Sequence, residues 1–240
     1  MKTKRKKLTQ NSPSGHVLLV DGDILLFRIG CTTNDVSEDI AKVRMNSYID
    51  ELLNDSFCSD YRIFLTDGEN NFRRKIYPEY KANRVAEKPL HYYVLRDYLI
   101  RYEKAEIAYG MEADDLLGIE QTDNTIIASI DKDLDQVEGA HYNFVKKIHY
   151  EITHNQGRHK FWTQMLTGDT VDNIPGIRGI GPKKAEKLLA DCTTDAEYKA
   201  AIINAYTELT TIEDINSHLN LIGKLLWIRR EHNQMWELHS

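Results

Sequence analysis

A mostly parallel α/β sheet flanked by helices, followed by a helical C-terminal region, is predicted by three features of this 240-residue chain. Short apolar runs alternate with stretches of helical period as far as about residue 130, the pattern of strands joined by crossover helices. Three of those runs, His16–Asp21, Tyr61–Asp67 and Asn124–Asp131, end in an acid. Beyond about residue 160 the apolar spacing is helical.

Residues 1–15, opening MKTKRKK, read as a disordered basic tail. The polar LTQNSPSG follows where a signal peptide needs an apolar run. HVLLVD is continuous rather than alternating, as a buried parallel strand requires. Val36, Ile40, Val43, Ile49, Leu52 and Leu53 set a helix over Val36–Leu53. Tyr61–Asp67 is a second strand, and Pro89–Tyr102 a helix with Leu95, Tyr98, Leu99 and Tyr102 on one side. A third strand is expected at Ala105–Tyr109, a helix from about Glu112, and a fourth strand at Asn124–Asp131. His141–Val145 and Ile148–Thr153 form a peripheral hairpin. The α/β core therefore spans 16–158. In 159–240, His159–Thr167 leads into a glycine-rich turn, Thr194–Leu209 continues beyond it, and Asp214–Arg230 closes the chain, with Trp227 and Trp236 packing it onto the body.

Composition narrows the function classes. The content is 41% hydrophobic and 28% charged, that of a globular domain with a sizeable core. No stretch approaches the ~18 apolar residues of a membrane span. Cys31, Cys58 and Cys192 are scattered and odd in number, which argues for a reducing, cytoplasmic setting and against a disulfide framework or thiolate metal site. The net charge of −6 hides segregation: residues 112–135 carry eight acids against one lysine, and 73–104 nine bases against four acids. Such a layout suits a metal site beside a phosphate-binding surface.

In open α/β sheets the active crevice lies outside the carboxyl ends of the strands, where Asp21, Asp67 and Asp131 fall. Adding the acids at helix starts and turns gives Asp21, Asp67, Glu112, Asp114, Asp115, Asp131, Asp133, Asp169 and Asp172. Convergent charges ~4 Å apart repel by about 4 kcal/mol at an effective dielectric of ~20, so cations are expected among them. An all-oxygen set suits Mg²⁺ or Mn²⁺, and its size suggests two ions. Asp23 and Asp135 read as solvated surface acids, and Asp115 has the alternative of serving its helix N-terminus.

Gly168–Leu189, GDTVDNIPGIRGIGPKKAEKLL, combines two chemistries. Asp169 and Asp172 are three apart, on one face of a helical turn. Gly176, Gly179 and Gly181 let bare backbone approach a ligand, and Pro182, Lys183 and Lys184 open a helix beside it. This reads as a helix-hairpin-helix that grips a nucleic-acid backbone without reading bases. In Phe72–Arg84, FRRKIYPEYKANR, bases interleave with aromatics. Lys81 and Arg84 would share a helix face, and Tyr77 and Tyr80 could stack on an end base; the alternative is tyrosines in the core.

Together LLVDGDILLFR, LTDGENNFRRKIYPEYKANR, MEADDLLG, ASIDKDLDQ and GDTVDNIPGIRGIGPKKAEKLL resemble the 5′-nuclease family of polymerase I 5′ nuclease domains, flap endonucleases and phage 5′–3′ exonucleases, the YKANR stretch looking most like the phage enzymes. The resemblance spans residues 17–190. It implies a PIN-like sheet, a short arch at about 72–104 and DNA replication or repair. It also implies a first metal site at Asp21, Asp67, Glu112 and Asp114, and a second at Asp131, Asp133, Asp169 and Asp172, with Asp114 or Asp115 between. Lys81 and Arg84 match the basic pair near the scissile phosphate, Arg73, Arg74, Tyr80, Lys183 and Lys184 fall on the implied DNA surface, and a K⁺ would sit on backbone oxygens of Gly176, Ile177, Gly179 and Gly181. The chain departs from the family at Gly68 and Glu69, where a lysine is common. The expected function is a metal-dependent 5′–3′ exonuclease and flap endonuclease, leaving 5′-phosphates on DNA with 5′ ends, nicks or flaps and on RNA–DNA hybrids, acting as a monomer. Two rivals are a ribonuclease on a related fold and a catalytically silent DNA-binding relative.

Overall fold

The computed structural model describes residues 15–68, 70–84 and 87–238. Most of the expected basic tail, Glu69 and the last two residues lie outside them. In chain order the elements are β1 (Val17–Asp21), α1 (Gly22–Cys31), α2 (Glu38–Ser56), β2 (Asp60–Thr66), α3 (Phe72–Ile76), α4 (Tyr92–Arg101), β3 (Glu106–Ala108), α5 (Ala113–Glu120), β4 (Thr125–Ala128), β5 (Gly139–Asn143) and β6 (Ile148–Ile152). The helices α6 (His154–Thr167), α7 (Pro182–Leu188), α8 (Asp195–Leu209) and α9 (Ile215–Leu226) follow.

The six strands form one sheet in the order β3-β2-β1-β4-β5-β6. All pairs are parallel except the β5–β6 hairpin. The chain runs outward from β1 through β2 and β3, then returns to β1's other side at β4. That reversal opens a crevice at the carboxyl ends of β1 and β4, where an open α/β sheet receives its ligand.

Two apolar layers sandwich the sheet. Leu18, Val20, Ile63, Leu65 and Ile126 meet α1, α2 and α4 on one face. Leu19, Phe64 and Ile127 meet α5 and Ile228 on the other. Successive strand residues thus bury on opposite faces, which explains the unbroken apolar runs. A third core joins α6 to α9 around Phe161, Met165, Leu166, Tyr206, Leu219 and Leu226, with Trp227 and Trp236 packed against it as expected.

One helix is added to the expected elements and three local expectations are corrected. The chain after Asp21 enters a ten-residue helix, α1, at once, because Asp21 itself caps it. Asp169–Ile174 is a tight turn, closed by Asp169 N–H to Ile174 O at 2.9 Å and Ile174 N–H to Asp169 O at 2.7 Å, so Asp169 and Asp172 share no helix face. Lys81 and Arg84 sit in turns rather than on a helix, and Lys81 has φ +56°. No free-standing arch appears among the described residues of 72–104. Lys81 N–H donates to Asp172 O at 2.9 Å, Asn83 Nδ2 to Thr170 O at 2.8 Å and Asn173 Nδ2 to Glu79 O at 2.8 Å. These bonds lay residues 79–83 flat on the 169–174 turn, while Leu95 and Leu99 sink α4 into the body.

Candidate active site

At the crevice predicted by the strand order, Asp21 ends β1. Its Oδ1 accepts Ile24 N–H at 3.1 Å as the N-cap of α1, and its Oδ2 accepts the Ser129 hydroxyl at 2.9 Å. Ser129 reaches it because β4 lies beside β1. Asp23, in the first turn of α1, accepts Thr66 N–H at 3.1 Å. Glu112 and Asp114 open α5, where carboxylates also favour the positive helix end. Asp131 Oδ1 accepts Asp133 N–H at 2.8 Å, which orders the chain beyond β4. Asp133 Oδ1 accepts Lys160 Nζ at 3.0 Å and Gln164 Nε2 at 2.8 Å from α6. Asp169 Oδ1 is braced by the N–H groups of Val171 and Asp172.

These elements enclose a cavity of about 1200 Å³ walled by Asp21, Asp23, Glu112, Asp114, Asp131, Asp133, Asp169 and Asp172, with Lys81, Arg84 and Lys160 among them. The bases are tied to the acids. Lys81 Nζ lies 2.5 Å from Glu112 Oε1 and 3.5 Å from Asp172 Oδ2, and Arg84 pairs with Asp172 Oδ1.

Charge is distributed unevenly. Burial opposes ionisation of Glu112, but Lys81 and Arg73 outweigh it and hold the carboxyl at about 2. Asp21 is pushed up to about 7, chiefly by burial and then by Asp23. Burial raises Asp114 strongly, with Asp21 and Asp131 adding repulsion, and raises Asp131, with Asp133 adding to it. Burial and the hydrogen bond to Asp133 bring Asp169 to about 6. Asp21, buried, and Asp114 and Asp131, half-buried, therefore form a carboxyl cluster that the local bases do not stabilise in its charged form, so it holds protons where no cation offsets its charge. Its all-oxygen donors fit hard divalent cations. Among the described residues, no three acids, histidines or cysteines stand close enough to enclose one ion without rearrangement. Glu112 and Asp172 are instead engaged by Lys81 and Arg84.

Of the expected ligands, two lie elsewhere. Asp115 is fully buried, gripped by the Arg73 guanidinium at 2.5 and 2.9 Å, and its Oδ2 accepts Glu112 N–H at 3.1 Å in a capping box. Its position three residues after Glu112 on a short helix turns it into the protein. Asp67 accepts Gly110 N–H at 3.0 Å, tying off the 108–111 loop outside the cavity.

Two of the residues expected on DNA are likewise internal. Arg73 is only 3% exposed because its charge is spent on Asp115. Tyr80 is buried in the helical core with its hydroxyl 2.7 Å from Glu112 Oε2 and 3.0 Å from Asp172 Oδ2, so its ring cannot stack on a base. Gly176 serves chain packing, since a Cβ there would overlap Thr167. Gly179, at φ +82°, and Gly181 face open space, and Arg74, Lys183 and Lys184 are exposed. Of the carbonyls expected to hold K⁺, Ile177 O accepts Ile180 N–H at 3.0 Å and Gly181 O accepts Lys184 and Ala185 N–H, both at 3.0 Å.

From sequence Asp23 reads as a surface acid, and Ser129, Lys160 and Gln164 do not stand out. A usable signal existed for Asp23: reading a helix directly after Asp21 puts it in the first turn, facing the same crevice. For Lys160 and Gln164 the signal was their spacing: four apart within a helical segment, they share one face.

The model of the 5′-3′ exonuclease N-terminal, resolvase-like domain matches residues 16–164. A 5′-3′ exonuclease of Buchnera aphidicola is 30% identical over 198 residues, covering 72% of this chain and 69% of that protein. Flap endonuclease Xni of a Shewanella species is 30% identical over 191 residues, covering 72% and 73%. Among solved structures, T5 5′-exonuclease with zinc bound aligns at TM-score 0.58 and 20% identity, over 88% of this chain and 86% of that one. The catalytic core of Rad2 in complex with DNA substrate aligns at TM-score 0.59 and 14% identity, over 97% and 83%. These two likenesses establish the fold. The domain match and the 30% relatives make this chain a member of the 5′-3′ exonuclease family.

Proposed function

We propose that the chain is a divalent-metal-dependent 5′–3′ exonuclease and flap endonuclease of DNA replication or repair, releasing 5′-phosphate products and acting as a monomer. The observation that carries this reading is the cavity at the β1/β4 crevice, where eight carboxyl side chains converge and those of Asp21, Asp114 and Asp131 lack a base to stabilise their charged form. Asp21, Asp23, Glu112 and Asp114 would face one cation, and Asp131, Asp133, Asp169 and Asp172 a second. Mg²⁺ is the expected ion and Mn²⁺ its substitute. Bound there, such ions supply Lewis-acid polarisation of phosphoryl oxygens and neutralise developing charge.

The chain's own residues do the rest. Lys81 and Arg84, now paired to Glu112 and Asp172, would turn to the scissile phosphate, whose charge replaces that of the carboxylates they leave. Exposed Lys183 and Lys184, beside the open backbone of Gly179 and Gly181, would hold duplex phosphates away from the reaction. A K⁺ on the carbonyls of 176–181 would strengthen that grip.

The test is incubation with 5′-end-labelled nicked, flapped and blunt duplexes, an RNA–DNA hybrid and single-stranded RNA, with and without Mg²⁺. Mg²⁺-dependent release of 5′-phosphorylated fragments from nicked and flapped DNA is expected, with hybrid cleaved as well. Cleavage of single-stranded RNA alone would favour the ribonuclease alternative, and binding without cleavage the silent one.

A further inference from the structure

Arg73, near the start of α3, joins the helical lobe to the carboxylate cavity. Its Nε donates to Leu225 O at 2.8 Å and its Nη2 to Trp227 O at 2.7 Å, just past α9. The same guanidinium grips Asp115 through Nη1 at 2.5 Å and Nη2 at 2.9 Å. Asp115 also accepts the N–H groups of Glu112 at 3.1 Å and Arg229 at 3.2 Å. Glu112 Oε2 stands 3.9 Å from Arg73 Nη1, and Glu112 Oε1 holds Lys81 Nζ at 2.5 Å. A continuous run of polar contacts thus leads from residues 225–229 to Lys81, through side chains that are almost wholly buried.

We infer that Arg73 is a positioning residue for strand cleavage: with Asp115 it fixes Glu112, and through Glu112 the ammonium of Lys81, making residues 225–229 part of the active-site scaffold although they lie outside the 16–164 domain match. This rests on the proposed nuclease function. The planar fork explains the residue type, because three acceptors in fixed directions suit a guanidinium and not an ammonium. Stability alone does not explain it, since apolar residues commonly replace a buried ion pair without loss of stability. A 1 Å displacement of a group acting on the reacting phosphate can lower a rate by about 10²-fold.

The test uses the full chain with Arg73→Lys, which keeps the charge and loses the fork. Asp115→Asn carries the same test if Arg73→Lys does not fold. Single-turnover cleavage at saturating protein should fall by about 10²-fold while affinity for nicked DNA in Ca²⁺ holds within about twofold. In a double-mutant cycle, Lys81→Ala should then cost less than about tenfold, far below its effect in the parent chain. An arm independent of activity follows amine acylation by peptide mass spectrometry. Arg73→Lys should raise labelling of Lys81 several-fold while Lys160, on the same cavity but paired to Asp133, and exposed Lys183 stay unchanged. Additive cycle effects, or labelling that rises equally at all three lysines, would reduce Arg73 to a structural role and overturn the inference. An inactive parent chain would sink the nuclease reading instead, and the labelling arm would still decide the positioning role.

Discussion

Lys81 Nζ lies 2.5 Å from Glu112 Oε1, an ion pair whose lysine arises from a left-handed turn and whose glutamate opens α5. The turn's φ of +56° aims the ammonium into the cavity, and the side chain is only 13% exposed. A cation so placed is available to negative charge that develops nearby.

Lys81→Ala is therefore expected to slow single-turnover cleavage by about 10²–10³-fold, or roughly 2.7–4 kcal/mol, with little change in DNA affinity. Arg84→Ala should resemble it with more loss of binding, because its more exposed fork can grip a phosphate bidentately. Binding in Ca²⁺ and single-turnover rates in Mg²⁺ on one flapped duplex check both. An effect of Lys81→Ala on affinity alone would contradict the placement.

The metal-stripped protein should lose stability as pH rises from about 4 to about 7. Asp21, at about 7, and Asp169, at about 6, hold protons more tightly folded than unfolded, where a free aspartate titrates near ~3.9. Their contribution is complete below that unfolded value and is lost as pH climbs through the folded ones. Glu112 works in the opposite sense: its contribution is present above its ordinary range and is lost as pH falls toward about 2. Melting scans should show a maximum on the mildly acidic side without metal and a flatter profile with Mg²⁺. At neutral pH without metal, Asp114→Asn should raise the melting temperature by about 2–4 °C, equivalent to roughly 1 kcal/mol. An unchanged or lower melting temperature would argue against a shared carboxyl cluster.

Lys183→Ala and Lys184→Ala should each weaken duplex binding irrespective of sequence and reduce the magnitude of the salt slope by about one unit. Cleavage at saturating protein should stay unchanged, since phosphates held remotely are bound equally in ground and transition states. Titrations at several salt concentrations measure the slope; a rate effect at saturation would place these lysines at the chemistry instead.

The glycines of the turn should separate into two classes. Gly176→Ala forces a methyl into Thr167 and is expected to destabilise the fold by about 1–3 kcal/mol or more. Gly181→Ala meets nothing within 4 Å and should leave stability nearly intact while weakening duplex binding. Denaturant midpoints and Kd values on the same variants distinguish packing from ligand approach. Equal stability for both would contradict the packing.

The parallel sheet was legible because unbroken apolar runs such as HVLLVD have few other places to bury, and their terminal acids fall on the crevice side. Asp21, Glu112, Asp114, Asp131 and Asp133 follow from that geometry. Spacing failed where a side chain had a stronger local partner. Asp115 lies three residues from Glu112 on α5, yet Arg73 draws it inward, and no pattern in FRRKIYPEYKANR tells the buried Arg73 from the exposed Arg74. Tyr80 and Lys81 are adjacent, and only the left-handed turn decides that one packs in the helical core while the other enters the cavity. Asp23 was hidden because α1 begins with no intervening loop.

The central claim, that cleavage occurs at the carboxylate cavity and depends on divalent metal, is tested most directly by Asp114→Asn. Single-turnover cleavage of a nicked duplex would be followed from zero to saturating Mg²⁺ for this variant and its parent, with binding to the same duplex measured in Ca²⁺. The parent should cleave only with Mg²⁺, and the variant should bind with similar affinity but cleave at least about 10²–10³-fold more slowly. Cleavage by the parent without metal, or an Asp114→Asn protein that retains the parental rate, would contradict it.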